Sequence, residues 1–175
     1  MADFATTAQA VTCNTSIFDA FPIFAQHGYA LLADEAGSVV GIITPSDLTE
    51  VYLLLAEPFL LLEEIEKLVR VLVGKGEFTV EELRKCCHPE SRCAKVNRVD
   101  DMTFGEYVSL FEHVPYWERL QLPLDRVVFC DTLREACSVR NAVMHFRPGG
   151  IRPSELKTLQ RVLKFLKKLR GMGVF

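Results

Sequence analysis

The stretch Gly41-Ile42-Ile43-Thr44-Pro45-Ser46-Asp47 decides how the first third of this chain folds. Ile42 and Ile43 close an apolar run, Ser38–Ile43, of the length and composition of a short strand. Pro45 then stands where a helix accepts proline at no cost, at its first position, because the missing N–H would have had no partner there. Thr44 and Asp47 are spaced so that the hydroxyl and the carboxylate meet backbone N–H groups that a first helical turn leaves free. Working backwards, Asp34-Glu35-Ala36-Gly37 makes a hairpin turn to a second strand, Tyr29–Ala33. Before it, Asn14 to Ser16 supply N-cap side chains, and Phe18, Phe21 and Phe24 set a one-sided stripe that stops at Gly28, a good C-cap. Pro22 is tolerable in that helix only in its first turns or as a kink. The order is helix, strand, strand, helix.

That order, with the pattern Gly-x-x-Thr-x-x-Asp after the second strand, resembles the CBS (cystathionine β-synthase-type) module over about residues 5–57. In that family the pattern contacts the ribose of adenosine nucleotides. The resemblance therefore implies Thr44 and Asp47 as binding residues and an adenosine-type nucleotide as a regulatory ligand, with no cofactor required. Read from the residues alone, the pair also serves simply as a helix cap. Two departures from the family are visible: the modules normally come in tandem and this chain has room for one, and the segment offers no basic side chain to a polyphosphate. A single module should pair its exposed sheet or helix face with a second copy, which predicts a homodimer.

From Pro58 the pattern turns helical, so the chain divides into residues 1–57 and 58–175. Phe59–Val73 has helical apolar spacing and closes at Gly74-Lys75-Gly76. Thr79-x-x-Glu82 and Thr103-x-x-Glu106 are capping-box starts of helices reaching about Cys87 and His113, with a polar connection, His88–Asp101, between them. Pro115, Trp117 and Pro123 punctuate the stretch after His113. Two longer helices are expected over Asp125–Phe146, ended by Gly149-Gly150, and Pro153–Arg170. The fold class is α+β: a small α/β module, then an all-α bundle.

Within the first of those long helices lies Arg140-Asn141-Ala142-Val143-Met144-His145. At about 100° per residue, Phe129, Leu133, Ala136, Val143 and Met144 share one stripe with Arg140 in its middle, while Arg134, Ser138, Asn141 and His145 gather opposite. A guanidinium on an apolar stripe needs a carboxylate, a phosphate or a subunit interface. The spacing of Arg140 and His145 in a helical, near-terminal setting resembles the HEPN superfamily, small helical bundles of which many are metal-independent ribonucleases acting as dimers. The resemblance covers about residues 58–175 and implies Arg140, Asn141 and His145 as catalytic residues and RNA as substrate. Imidazole suits proton transfer near neutral pH, and guanidinium suits a bidentate hold on phosphate. The bland alternative pairs Arg140 with Glu106 or Glu112 and leaves His145 at a helix end.

The charge distribution narrows the partners. No lysine or arginine precedes Lys67, whereas from Arg147 onward Arg147, Arg152, Lys157, Arg161, Lys164, Lys167, Lys168 and Arg170 face only Glu155. Such asymmetry points to RNA or another anion, to attraction between the two ends, or to a solvated face. The apolar run Val51–Leu62 is far short of the roughly 20 residues of a membrane span, and a cytoplasmic protein without a membrane partner is expected. Six irregularly placed cysteines read as free thiols. Cys86-Cys87-His88 with Cys93 lacks the separated pairs of a zinc site, so no metal is expected. Nucleotide-sensing ribonuclease or RNA-binding regulator is the leading reading, with toxin–antitoxin pairing as one setting. The competing class is a non-catalytic protein that dimerises and docks a ligand or another protein.

Overall fold

The computed structural model of the chain describes residues 9–87, 93–148 and 150–175. It divides into two compact units, Met1–Ala56 and Glu57–Phe175.

The first unit holds strand β1 (Ala10–Val11), helix α1 (Ile17–His27), strands β2 (Ala30–Ala33) and β3 (Val39–Ile43), and the start of helix α2 (Pro45–Gly74). Ser16 caps α1 and Gly28 closes it in the left-handed region at φ 76°, where glycine carries no Cβ penalty. Asp34 shapes the hairpin: its Oδ1 accepts from the Ala36 and Ser38 N–H groups, at 3.0 and 2.8 Å. β2 lies central, antiparallel to β3 in the register Ala30↔Ile43 and Leu31↔Ile42, and parallel to β1. The sequence gives no sign of β1, since two residues carry no periodicity. Because strand side chains alternate, Val11, Ala30, Leu32 and Ile43 turn to one face, where they pack with Ala20, Ile23, Phe24 and Leu48 of the helices. Ile42, on the other face, is exposed.

The helices expected to start at Pro45 and at Phe59 are one helix: α2 runs unbroken from Pro45 to Gly74 with Pro58 inside it. A proline removes one i→i−4 hydrogen bond, and the leucine-rich turns on both sides keep helical geometry through that gap.

The second unit contains the rest of α2, α3 (Val80–Lys85), α4 (Phe104–Glu112), α5 (Val114–Leu120), α6 (Arg126–Met144) and α7 (Pro153–Gly171), with short 3-10 turns at Cys93–Lys95 and Val99–Asp101. Both predicted capping boxes are present, Thr79 with Glu82 and Thr103 with Glu106. Where the sequence suggests only punctuation, α5 forms: Pro115 occupies its first turn, the one place in a helix where proline is neutral. α6 stops earlier than expected, and not at Gly149-Gly150. Phe146 enters the left-handed region at φ 48°, and the Arg147 N–H reaches back to the Ala142 carbonyl at 3.1 Å, a Schellman-type closure. One continuous core includes Ile65, Leu72, Tyr107, Phe111, Phe129, Leu133, Leu159 and Leu166, each fully buried.

Candidate functional site

In the first unit the candidate ligand residues sit where β3 hands over to α2. The Thr44 N–H and hydroxyl both donate to Asp47 Oδ2, at 2.8 and 2.7 Å, and the Asp47 N–H returns a longer bond of 3.4 Å to the Thr44 hydroxyl. The capping interaction expected from the sequence is thus made. It also fixes a carboxylate in the open: Asp47 is exposed, and among the described residues its Oδ1 accepts no hydrogen bond. The Thr44 hydroxyl, then the Thr44 N–H, hold the Asp47 carboxyl below its ordinary value. The site is a pre-oriented anion at a helix start, with outward acceptor capacity suited to hydroxyl donors.

Residues 3–54 match the CBS domain. The strand, turn and helix start bearing Thr44 and Asp47 lie inside that match. A CBS domain points to a regulatory or ligand-sensing role, and such domains commonly bind adenosine nucleotides. The chain matches no curated protein and no solved structure.

Outside the CBS domain, α6 carries the other candidates. Its buried residues are Phe129, Cys130, Leu133, Ala136, Val139 and Val143, so Arg140 does project from the apolar side, half-buried. Met144, expected on the buried stripe, is exposed because the helix ends there. Neither acid suggested as a partner for Arg140 takes that part. Glu112 Oε1 binds Arg134, at 2.6 Å from Nη2, and Glu106 accepts from the Thr103 N–H at 2.6 Å as a capping residue. Among the described residues Arg140 forms no ion pair; its Nη1 donates to Asn141 Oδ1 at 3.5 Å, a long contact. His145 is exposed at the end of α6, its N–H bonded to the Asn141 carbonyl at 3.0 Å. Arg140 and Asn141 are brought together. His145, the C-cap just beyond α6, makes no hydrogen bond to the Arg140 side chain among the described residues, and on an ideal helix the two positions lie about 140° apart.

Asn141 also lines a groove of about 380 Å³ between α4 and α6, with Ser109 and Glu112 on one side and Arg134, Cys137 and Ser138 on the other. The polar side of α6 was legible in the sequence; its pairing with α4 was not, because Ser109 gives no signal beyond helical spacing. Glu112 and Asp131 both bind Arg134 at the rim.

The basic tail is partly neutralised within the second unit. Arg161 pairs with Glu135, Lys167 with Glu64 at 2.7 Å and Arg147 with Glu155 at 2.5 Å, so attraction between oppositely charged segments accounts for a share of the asymmetry. Among the described residues no cluster of three or more His, Cys, Asp or Glu is placed to hold a metal ion; His88 lies outside them. Burial pushes the Cys86 and Cys87 thiols up to about 11, which disfavours the thiolates that ligate metal. Among the described residues, no helix is long and apolar enough to cross a membrane.

Proposed function

We infer that this protein is a ligand-responsive regulator whose CBS domain takes the ribose of an adenosine-type ligand on Asp47. The observation that carries this reading is the exposed carboxylate held at 2.7 Å by Thr44, with one oxygen left to accept from a vicinal diol. A ribose offers two adjacent hydroxyl donors, and a carboxylate accepts from both. No lysine or arginine precedes Lys67, so the ligand is one with few phosphates, adenosine or AMP before ATP. Titration calorimetry with adenosine, AMP and ATP tests this. Binding in the order AMP above ATP, weakened at least about tenfold by Asp47→Asn, is expected for a charge-assisted contact. Equal binding by wild type and Asp47→Asn, or none to any of the three, overturns it.

A second reading is supported by one specific observation, the absence of a carboxylate partner for Arg140 among the described residues. In this reading the bundle is a HEPN-like, metal-independent ribonuclease assembled as a homodimer. The imidazole of His145 takes the proton of a ribose 2′-hydroxyl, the oxygen attacks the adjacent phosphorus, and the bond to the 5′-oxygen breaks as the imidazolium returns the proton to that oxygen, giving a 2′,3′-cyclic phosphate. Arg140, with Asn141, holds the phosphate as charge builds on it. Because Arg140 and His145 diverge on one helix, the arginine of one copy serves the histidine of the other. Cleavage of a generic RNA by wild type and its loss in His145→Ala and Arg140→Ala are expected; equal cleavage by the double variant removes the enzyme.

A further inference from the structure

Four cations of α7 stand in one line. Lys157, Arg161, Lys164 and Lys168 are all exposed, and at about 100° per residue they fall within an arc of about 60° while climbing about 16 Å of the helix. The opposite side of α7, with Leu159 and Leu166, is buried in the core. No acidic residue follows Glu155, and among the described residues Lys157, Lys164 and Lys168 form no ion pair, while Arg161 meets Glu135. At the connection that leads from α6 into this helix, Phe146 is 83% exposed and holds φ at 48°. It occupies the position just past the C-cap of α6, where glycine is favoured because a Cβ in the left-handed region is strained. The other non-glycine residues of positive φ, Glu77 and Gln121, are polar. An aromatic ring that is strained at its backbone and open to water contributes little to the fold, and such outliers cluster where ligands are held.

We propose that the helical bundle holds an unpaired nucleic-acid strand, with successive phosphates on the α7 line and one base stacked on Phe146. Chemistry selects this occupant. An open strand offers a row of single charges and free base faces, whereas a duplex keeps those faces stacked on one another. A flat anionic lipid surface would press on the carboxylates beside the line, Glu135 on α6 and Glu64 on α2, and α7 has no apolar side left to insert. An acidic protein would need a desolvated apolar centre, and lysine is depleted in such interfaces. The proposal rests on the reading of the bundle as an RNA-directed unit and deepens it by naming the kind of strand and the residues that hold it. It needs neither Arg140 nor His145 to react.

The test is fluorescence anisotropy of the full chain with a labelled oligothymidine, whose sugars lack the 2′-hydroxyl and so survive the cleavage chemistry described above. Binding is expected to fall with salt at a slope of log K against log concentration of about −3, the value for four phosphates on a single strand. Lys164→Gln with Lys168→Gln should roughly halve that slope. Phe146→Gly should weaken binding about tenfold and leave the thermal midpoint unchanged or higher, a combination that a merely structural residue does not give. No binding at low salt, preference for the duplex with oligodeoxyadenosine, equal displacement by polyglutamate, or unchanged affinity in the Phe146→Gly chain overturns the proposal. Binding without RNA cleavage leaves this track standing and removes only the ribonuclease. Undiminished RNA cleavage by the chain altered at positions 146, 164 and 168 removes the track and leaves the ribonuclease.

Discussion

Glu82 shows how much depends on a single carboxylate. It closes the capping box of α3 and accepts from Arg119, whose guanidinium also lies over the Phe78 ring at 4.9 Å from its centroid. The Arg119 hydrogen bond first, and the Thr79 N–H second, bring its pKa from 4.5 to about 2. Glu155, bound by Arg147 and the Arg152 N–H, is likewise lowered to about 2. A carboxylate whose folded pKa is depressed stabilises the fold fully above its unfolded pKa and loses that contribution as pH falls through the folded one. The midpoint of thermal unfolding should therefore decline between about pH 4.5 and pH 2, and Glu82→Gln should flatten that limb while lowering the midpoint at neutral pH. A wild-type profile level across this window would refute the assignment. Glu82 was legible in advance because Thr-x-x-Glu is a local pattern. Arg119 was not, since it approaches from 37 residues away. Thr44 and Asp47 were legible for the same local reason as Glu82, and Arg140 because it interrupts a periodic stripe.

Among the elements, α4 is tied to α2 by one side chain. Tyr107 is fully buried, accepts from Arg70 Nε at 3.1 Å and donates to the Val99 carbonyl at 2.9 Å. Tyr107→Phe keeps the packing and strips both bonds, so a loss of about 1–3 kcal/mol in denaturant midpoint analysis is expected. Leu159, with no exposed surface on α7, should cost about 2–5 kcal/mol as Leu159→Ala through the cavity it leaves. Helices with long periodic stripes and capping boxes could be read directly from the sequence. α5 could not, because proline and tryptophan within seven residues resemble a turn until the first-turn exception is applied. The continuity of α2 escaped for the opposite reason: Pro58 marks a change of pattern in the sequence, but one lost hydrogen bond does not end a helix whose flanking turns are good helix formers.

At the scale of the whole molecule the two units differ sharply in core. The first is built on Val11, Ala20, Phe24 and Ala30 with a few half-buried neighbours, while the second has a core running through α2 to α7. Small cores are marginal alone. Phe24→Ala should speed hydrogen exchange across β2 and β3 while leaving α4 and α7 as protected as before; uniform acceleration would show that the two units unfold as one. The α+β class and the change of character after the first third could be read from periodicity. The groove beside Asn141 could not, because it joins helices whose residues are more than twenty positions apart.

Every lysine and arginine of this chain lies at or beyond position 67. Trypsin cleaves after those two residue types alone, so it leaves the whole first unit on one long peptide, whether that unit is folded or not. Digestion with this protease maps the helical bundle only, whereas a glutamate-directed enzyme, with Glu35 and Glu50 as its sites, can report on the CBS domain.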